Sequence, residues 1–405
     1  MVATLINSSS APKFNIRSEI LALQSNLVQW RRELHRWPEL GFKEKRTAAF
    51  VRQKLSAWGI PHQVGIAQTG IVATITSTKS VDGRVMAIRA DMDALPIQEE
   101  NIVDYRSQID GLMHACGHDG HTAIALGSAC WLWQHRDSFR GTVKIIFQPA
   151  EEGPGGAKPM IEQGVLENPH VDAIIGLHLW NNLPIGTVGV RSGALMAAVE
   201  SFSCTILGKG GHGAMPHQTV DSVLVAAQVV NALQTIVARN VDPIDAAVVT
   251  VGELHAGTKR NVIADKAKLN GTVRYFNPAL GNLIPQRLEQ VIAGVCQSHG
   301  ASYELDYQRL YPPVINDDAI AALVRSVTET VVETPAGVVP ECRTMGGEDM
   351  SFFLQEVPGC YFFVGAANQD KNLAYPHHHP RFDFDETALG TGVEIFVRCV
   401  EKFCG

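Results

Sequence analysis

The sequence predicts an α/β protein. A first domain is built on a mostly parallel sheet flanked by helices, and an inserted ferredoxin-like α+β domain interrupts it. Three observations carry this prediction. Short β-branched segments alternate with helical stretches through the first half: "IVATITS", "RVMAIRAD", "TVKIIFQP" and "VDAIIGLH", the signature of a parallel sheet under helices. Near Met196 the alternation gives way to a β-α-β-β-α-β order, which is that of a ferredoxin-like sandwich. The chain has 405 residues, too many for one ordinary core. The expected division is 1–196 with 312–405 for the first domain and 197–311 for the insert.

The elements follow in order. Ile20, Leu23, Leu27, Trp30 and Leu34 recur at steps of three and four, an amphipathic helix. "HRWPELGFKE" ends it, because Pro38 lacks an amide hydrogen and Gly41 permits a turn. A second helix is expected from about Glu44 to Trp58, stopping at Gly59, and a third from His121 to Trp133. In the insert, "VESFSCTILG" reads as a strand and Val220 to Ala238 as a helix. "AAVVTVGELHAG" and "AKLNGTVRYF" follow as strands, Leu280 to His299 as a helix, and "SYELDYQ" as the last strand. Helices near Asp317–Val332 and Glu386–Phe403 flank the strand "CYFFVG" and close the first domain.

Composition narrows the function classes. Charged residues are 19%, hydrophobic residues 45% and net charge −7, which suits a globular chain and argues against nucleic acid as partner. No run of 18 apolar residues occurs, so no membrane span is expected. Residues 1–20 lack the basic start and apolar stretch of a signal peptide. Eight cysteines without paired spacing argue against a disulfide framework and for a reducing cytoplasm.

The chemistry concentrates in a few stretches. "HACGHDGH" holds Cys116 and His118 two residues apart. Thiolate and imidazole are the ligands that borderline transition metals prefer. On a helix the two would point about 200° apart, so a shared metal requires an extended or looped backbone. "QPAEEGPGG" places Glu151 and Glu152 after a strand. Adjacent carboxylates repel unless a cation sits by them, and neighbours facing different ways supply a metal ligand and a free general base. Asp91 and Asp93 in "RADMDALPI" end another strand and either orient a ligand histidine or touch metal. His178 in "IIGLHLW" is expected just past its strand, level with the glutamates. "PHHHP" offers His377, His378 and His379, of which one would suffice. In the insert, His212 lies in the glycine-rich "GKGGHGAMPH" and suits a lid contact, while Asn261 and Arg274 suit a carbonyl and a carboxylate.

Nine stretches in order, from "HRWPELGF" through "MHACGHDGHTA", "PAEEGPGGAKPMIEQG", "GLHLW" and "GTVR" to "GGEDMSFF", resemble the amidohydrolases that include plant auxin-conjugate hydrolases, hippurate hydrolases and bacterial N-acyl-amino-acid amidohydrolases. The resemblance implies a catalytic domain with an inserted lid that also dimerises. It implies hydrolysis of the amide bond of a small N-acyl amino acid (N-acetyl, N-benzoyl or auxin-type) to a carboxylic acid and a free amino acid. Two divalent ions, from zinc, manganese, cobalt or nickel, would be held by Cys116, His118, Glu152, His178 and His378, the last chosen because it stands two residues before Pro380. Glu151 corresponds to the general base, His212 to the lid histidine, and Asn261 and Arg274 to substrate contacts. Two departures stand out: Asp91 occupies a position where the wider superfamily has histidine, and Ala264 follows "NVI" where proline is usual.

Overall fold

The computed structural model describes residues 14–333 and 335–405, so most of the stretch read against a signal peptide lies outside the described residues. The chain separates into two compact units. One comprises Met1–Gly193, Asn316–Cys342 and Phe353–Gly405; the other comprises Ala194–Ile315 and Arg343–Phe352. The segment 343–352 was not expected in the second unit. Backbone bonds tie it there: Thr344 N–H donates to Leu195 O at 3.0 Å and Ala197 N–H to Gly346 O at 2.9 Å.

The first unit is organised by an eight-stranded sheet. Its order is His62–Ile66, Gly70–Thr76, Thr142–Gln148, Val85–Asp91, Ala173–Pro184, Gly359–Ala367, Val188–Gly189 and Val338–Val339. The four strands from Thr142–Gln148 to Gly359–Ala367 are parallel to one another. Antiparallel partners join on both sides. Val85–Asp91 and Thr142–Gln148 are buried at every position, as parallel strands covered on both faces must be. Burial therefore erases the polar alternation that edge strands display.

Two elements depart from the expected boundaries in ways that matter. The strand carrying His178 runs on to Pro184. Its pairing with Val85–Asp91 stops at Arg89 opposite Gly176, whereas its pairing with Gly359–Ala367 continues through Phe363 opposite His178. His178 is thus past the ladder on one side and inside it on the other. The third helix starts at His118, three residues earlier than expected, and runs to Gln134. Gly117 precedes it with φ 95°, a left-handed backbone that glycine adopts without penalty. That turn puts Cys116 in a loop and His118 at the helix N-terminus, so C-x-H spacing serves one site without an extended segment. Gly120 lets the helix press on the sheet: a Cβ there would lie 2.4 Å from Leu179 Cδ1.

The second unit is a four-stranded antiparallel sheet with the strands in order Ala247–Ala256, Lys266–Tyr275, Val199–Leu207 and Ser302–Tyr311. Val199–Leu207 alternates strictly, with Glu200, Phe202, Cys204 and Ile206 buried. Helices Ser222–Asn240 and Leu280–Ser298 supply the other half of that core through Val225, Val229, Leu233, Ile284, Leu288 and Ile292. Ser222–Asn240 is the one helix among the described residues long and apolar enough to cross a membrane by length and composition. Its apolar content has another use, since Val225, Ala226, Val229, Leu233 and Ile236 face the sheet and Asp221 caps its first turn by accepting from the amides of Val223 and Leu224.

Candidate metal centre

Within the first unit, loops at one end of the parallel strands bring together residues far apart in sequence. Cys116 Sγ lies 3.4 Å from His178 Nε2. His118 Nε2 lies 4.0 Å from both Glu151 Oε2 and Glu152 Oε1. His378 Nε2 lies 3.1 Å from Glu152 Oε1. Two three-residue groups, Cys116 with His118 and His178, and Cys116 with Glu152 and His378, each place their ligand atoms within 4.8 Å of one another. Cys116 belongs to both. Glu151 joins His118 and Glu152 in a third such group.

Asp93 organises this cluster. Its Oδ1 accepts from the Glu151 amide and its Oδ2 from the Glu152 amide, each at 3.0 Å. The same carboxylate faces His118 Nδ1 at 3.2 Å, beside the Asp93 carbonyl at 3.0 Å. In the neutral ring Nδ1 is therefore the protonated nitrogen of His118, and Nε2 is the one that faces the cluster. Asp91 is committed elsewhere: Oδ2 accepts from Arg89 at 2.7 Å and Oδ1 from His121 Nδ1 at 2.6 Å. His121 in turn accepts the Leu179 amide through Nε2 at 2.9 Å, so both its nitrogens are used. His178 donates Nδ1–H to Leu179 O at 2.7 Å, which leaves its Nε2 lone pair facing Cys116.

The loops that carry the glutamates and His378 are held in unusual backbone. Ala150 has φ 55° and His378 φ 64°, left-handed conformations that cost non-glycine residues energy and cluster at functional sites. Each is pinned. Glu44, from the "HRWPELGFKE" stretch, accepts the Ala150 amide at 2.9 Å and the Thr69 hydroxyl at 2.6 Å. The His378 amide donates to Ala115 O at 2.8 Å.

The electrostatics of the cluster call for cations. Burial first, then Glu152 and Glu151, push the Cys116 thiol well above its ordinary pKa. Burial opposes protonation of His118, but Asp91, Asp93 and Glu152 outweigh it and raise its pKa to about 10. Burial, with His121 and His377, holds His178 neutral. Glu152 Oε1 is buried and accepts no well-formed hydrogen bond, and His118 Nε2 is buried without a partner. Two orphaned ligand atoms, a thiol, the neutral His178 imidazole and an excess of carboxylate that a divalent cation would offset in place of the His118 proton are the donor set of a zinc- or manganese-type centre, so the residues present fit divalent metal.

The aspartate inside "HACGHDGH" has a different task, which the sequence did not reveal. Asp119 accepts from Arg31 Nε at 2.8 Å and from His35 Nδ1 at 2.7 Å. Arg31 also donates to Asp383 at 2.8 Å, and Tyr105 to the same carboxylate at 2.6 Å. Burial and Arg31 oppose protonation of His35, yet hydrogen bonds to Asp119 and Glu99 raise its pKa to about 9. This buried network joins the first helix to the helix that starts at His118 and to the segment that follows the histidine loop. The one signal in the sequence is the four-residue step from Arg31 to His35 on the buried face of an amphipathic helix.

The remaining expected site residues lie in the second unit. His212 pairs with Val262 in a two-stranded ladder, and Gly213 N–H donates to Asn261 O at 2.9 Å, so His212 and Asn261 share one structure. His212 is exposed, and its Nδ1 accepts the Ala214 amide at 3.1 Å. The neutral ring then carries its proton on Nε2. Arg274 is half-buried on Lys266–Tyr275, where Nη1 bonds Glu200 O, Thr272 Oγ1 and Val273 O.

Residues 87–402 match the description Peptidase family M20/M25/M40. An N-acyl-L-amino acid amidohydrolase of Geobacillus stearothermophilus is 46% identical over 76% of this chain and 82% of its own length. The IAA-amino acid hydrolase ILR1-like 4 of Arabidopsis thaliana is 37% identical over 99% of this chain and 92% of its own. Among solved structures, the Bacillus subtilis YxeP protein, described as a dinuclear metal-binding peptidase of the M20 family, superposes with TM-score 0.82 at 35% identity. The match covers 95% of this chain and 99% of that one.

Asp93→Asn tests the organising role. It removes one acceptor oxygen from a carboxylate that serves two amides and a candidate ligand. Metal affinity is expected to fall about 10–100-fold, the usual effect of removing a ligand's supporting partner, while the far-ultraviolet circular dichroism stays unchanged. A metal titration indistinguishable from wild type would remove Asp93 from this role.

Proposed function

The chain belongs to peptidase family M20/M25/M40, a family of metal-dependent hydrolases, and on that premise we propose that it hydrolyses the amide bond of small N-acyl amino acids through a pair of divalent ions. The observation that carries the reading is the pairing of Glu151 and Glu152 on the Asp93 carboxylate. Glu152 is aimed at His378, and Glu151 is 6% exposed beside His118. A protein that only stored metal has no use for that second carboxylate.

In this reading Cys116, His118 and His178 would hold one ion, and Cys116, Glu152 and His378 the other. Zinc, manganese, cobalt and nickel all suit such mixed donors. Bound ions would polarise the scissile carbonyl and ease deprotonation of a water. The chain's own residues do the rest. Glu151 takes the proton of the attacking water and returns it to the departing amine, so it must start ionised and finish ionised. His212 donates Nε2–H to the developing oxyanion. Asn261 contacts the acyl carbonyl, and Arg274 the amino-acid carboxylate.

The expected dimer belongs to the same proposal. The second unit, Ala194–Ile315 with Arg343–Phe352, acts as a lid and dimerisation domain, and the first unit as the catalytic domain. The exposed outer edge of Ala247–Ala256 offers unpaired backbone groups that a second copy can satisfy. His212 then serves the partner's catalytic domain. Eight buried, unpaired cysteines favour a reducing cytoplasm as the setting.

The substrate class is tested by release of free amino acid from N-acetyl, N-benzoyl and indole-acetyl amino acids and from dipeptides. Blocked substrates should turn over and free dipeptides should not. Glu151→Gln should keep its metal and lose about 10²–10⁴-fold in rate. Near wild-type rates in that variant at equal metal content would cancel the assignment of the base.

Complementation tests the lid. His212→Ala and Glu151→Gln chains should each be nearly inactive. After dissociation and equal mixing, half the dimers are mixed and one of their two sites has both residues intact. Activity should therefore recover to a ceiling of about a quarter of wild type. No recovery despite demonstrated subunit exchange would place His212 in its own chain's site or outside catalysis.

A further inference from the structure

Of the three consecutive histidines the proposed reaction uses His378 alone, and of the two it leaves without a task His377 is the one that faces the Cys116 sulfur. It is not a spare ligand. Its Nε2 accepts the backbone amide of Asn181 at 3.1 Å. A backbone N–H can only donate, so Nε2 carries no proton, and a neutral ring must carry it on Nδ1. That Nδ1 lies 4.0 Å from Cys116 Sγ. The ring has little freedom to leave. It stacks on Trp180 at 4.6 Å and 27°, and Trp180 stacks on Phe363 at 4.4 Å and 14°. Phe382 packs against it at 4.9 Å. Asn181 fixes the loop at both ends, donating through Nδ2 to Tyr375 O at 2.9 Å and to Asp383 O at 2.8 Å.

We propose that His377 is a positioning residue that donates an Nδ1–H···S hydrogen bond to the Cys116 sulfur, and that the Asn181 amide exists in this strand to set the tautomer that makes the bond possible. The inference rests on the reading that Cys116 ligates metal. A sulfur shared between two ions has two lone pairs in coordination and one left over. An N–H donor to that remaining pair would withdraw charge from the sulfur and restrict its orientation. Hydrogen bonds to ligand sulfur tune a metal centre in this way. The opposite tautomer would present a lone pair to the sulfur and repel it.

The test uses cobalt-loaded protein and its sulfur-to-cobalt charge-transfer absorption. Withdrawing the hydrogen bond raises the energy of the sulfur electrons, so the band should move to longer wavelength in His377→Phe, which keeps the aromatic stack. It should move back towards wild type in His377→Asn, whose amide N–H occupies the place of Nδ1. Cobalt stoichiometry is measured in each variant to exclude simple metal loss. A band at the same wavelength in wild type and His377→Phe, at equal cobalt content, overturns the proposal. Absence of any such band in the wild-type protein would instead overturn the ligation by Cys116 on which it rests. A second measurement needs no variant. In 15N-histidine-labelled wild-type protein, the ring that shows proximity to the Trp180 indole and to the Asn181 amide should carry its proton on Nδ1. A proton on Nε2 of that ring overturns the proposal.

Discussion

Buried negative charge around one sulfur is the constraint from which the rest of the first unit follows. Asp91, Asp93 and Glu151 are nearly inaccessible to solvent, and Glu152 lies against the same sulfur. Carboxylates removed from water must be neutralised, hydrogen-bonded or paired with cations. Asp91 takes Arg89 and His121; Asp93 takes two amides and His118. What remains is Glu152, a thiol held protonated by its surroundings, the buried Nε2 of His118 without a partner and the Nε2 of His178 facing that thiol. Divalent cations resolve that imbalance in one step. The supporting carboxylates Asp91 and Asp93 are hydrogen-bonded, while His118 Nε2 and Glu152 Oε1 stay buried without a well-formed hydrogen bond.

The fold delivers these groups by ending strands at different points. Val85–Asp91 stops at Asp91, so Asp93 can turn back over the Glu151–Glu152 loop. Ala173–Pro184 loses its partner on that side at Gly176 and keeps its partner on the other. His178 gains open space without losing the rigidity of a ladder, and Trp180 and Asn181 reach the histidine loop from the same strand. Preorganisation of this kind lets side chains meet a reacting centre without rearranging. The network of Arg31, His35, Asp119 and Asp383 then locks the helix that begins at His118 to the segment beyond His378.

Much of this was legible in the residues. Strand and helix order gave both units their architecture, because β-branched runs and three-to-four-residue apolar steps are local signals. The ligand candidates stood out by chemical type. What was hidden depends on long-range pairing. Arg31 and Asp119 are 88 residues apart, and nothing near either announces the other. The early start of the third helix turned on a left-handed Gly117, which a glycine permits but does not announce. The length of the strand through His178 turned on a partner nearly two hundred residues later in the chain. The attachment of 343–352 to the second unit came from a few backbone bonds to 195–197, which leave no mark on side-chain type. The apolar Ser222–Asn240 helix reads the same whether it faces a sheet or a lipid, and only the buried positions decide.

The central claim is that one sulfur joins two ions. Crystals of the metal-loaded protein, measured at the absorption edge of the added metal, test it directly. The account predicts two anomalous peaks in the first unit, both within bonding distance of Cys116 Sγ. One should be flanked by His118 and His178 and the other by Glu152 and His378. A single peak, or two peaks neither of which touches Cys116, would contradict it.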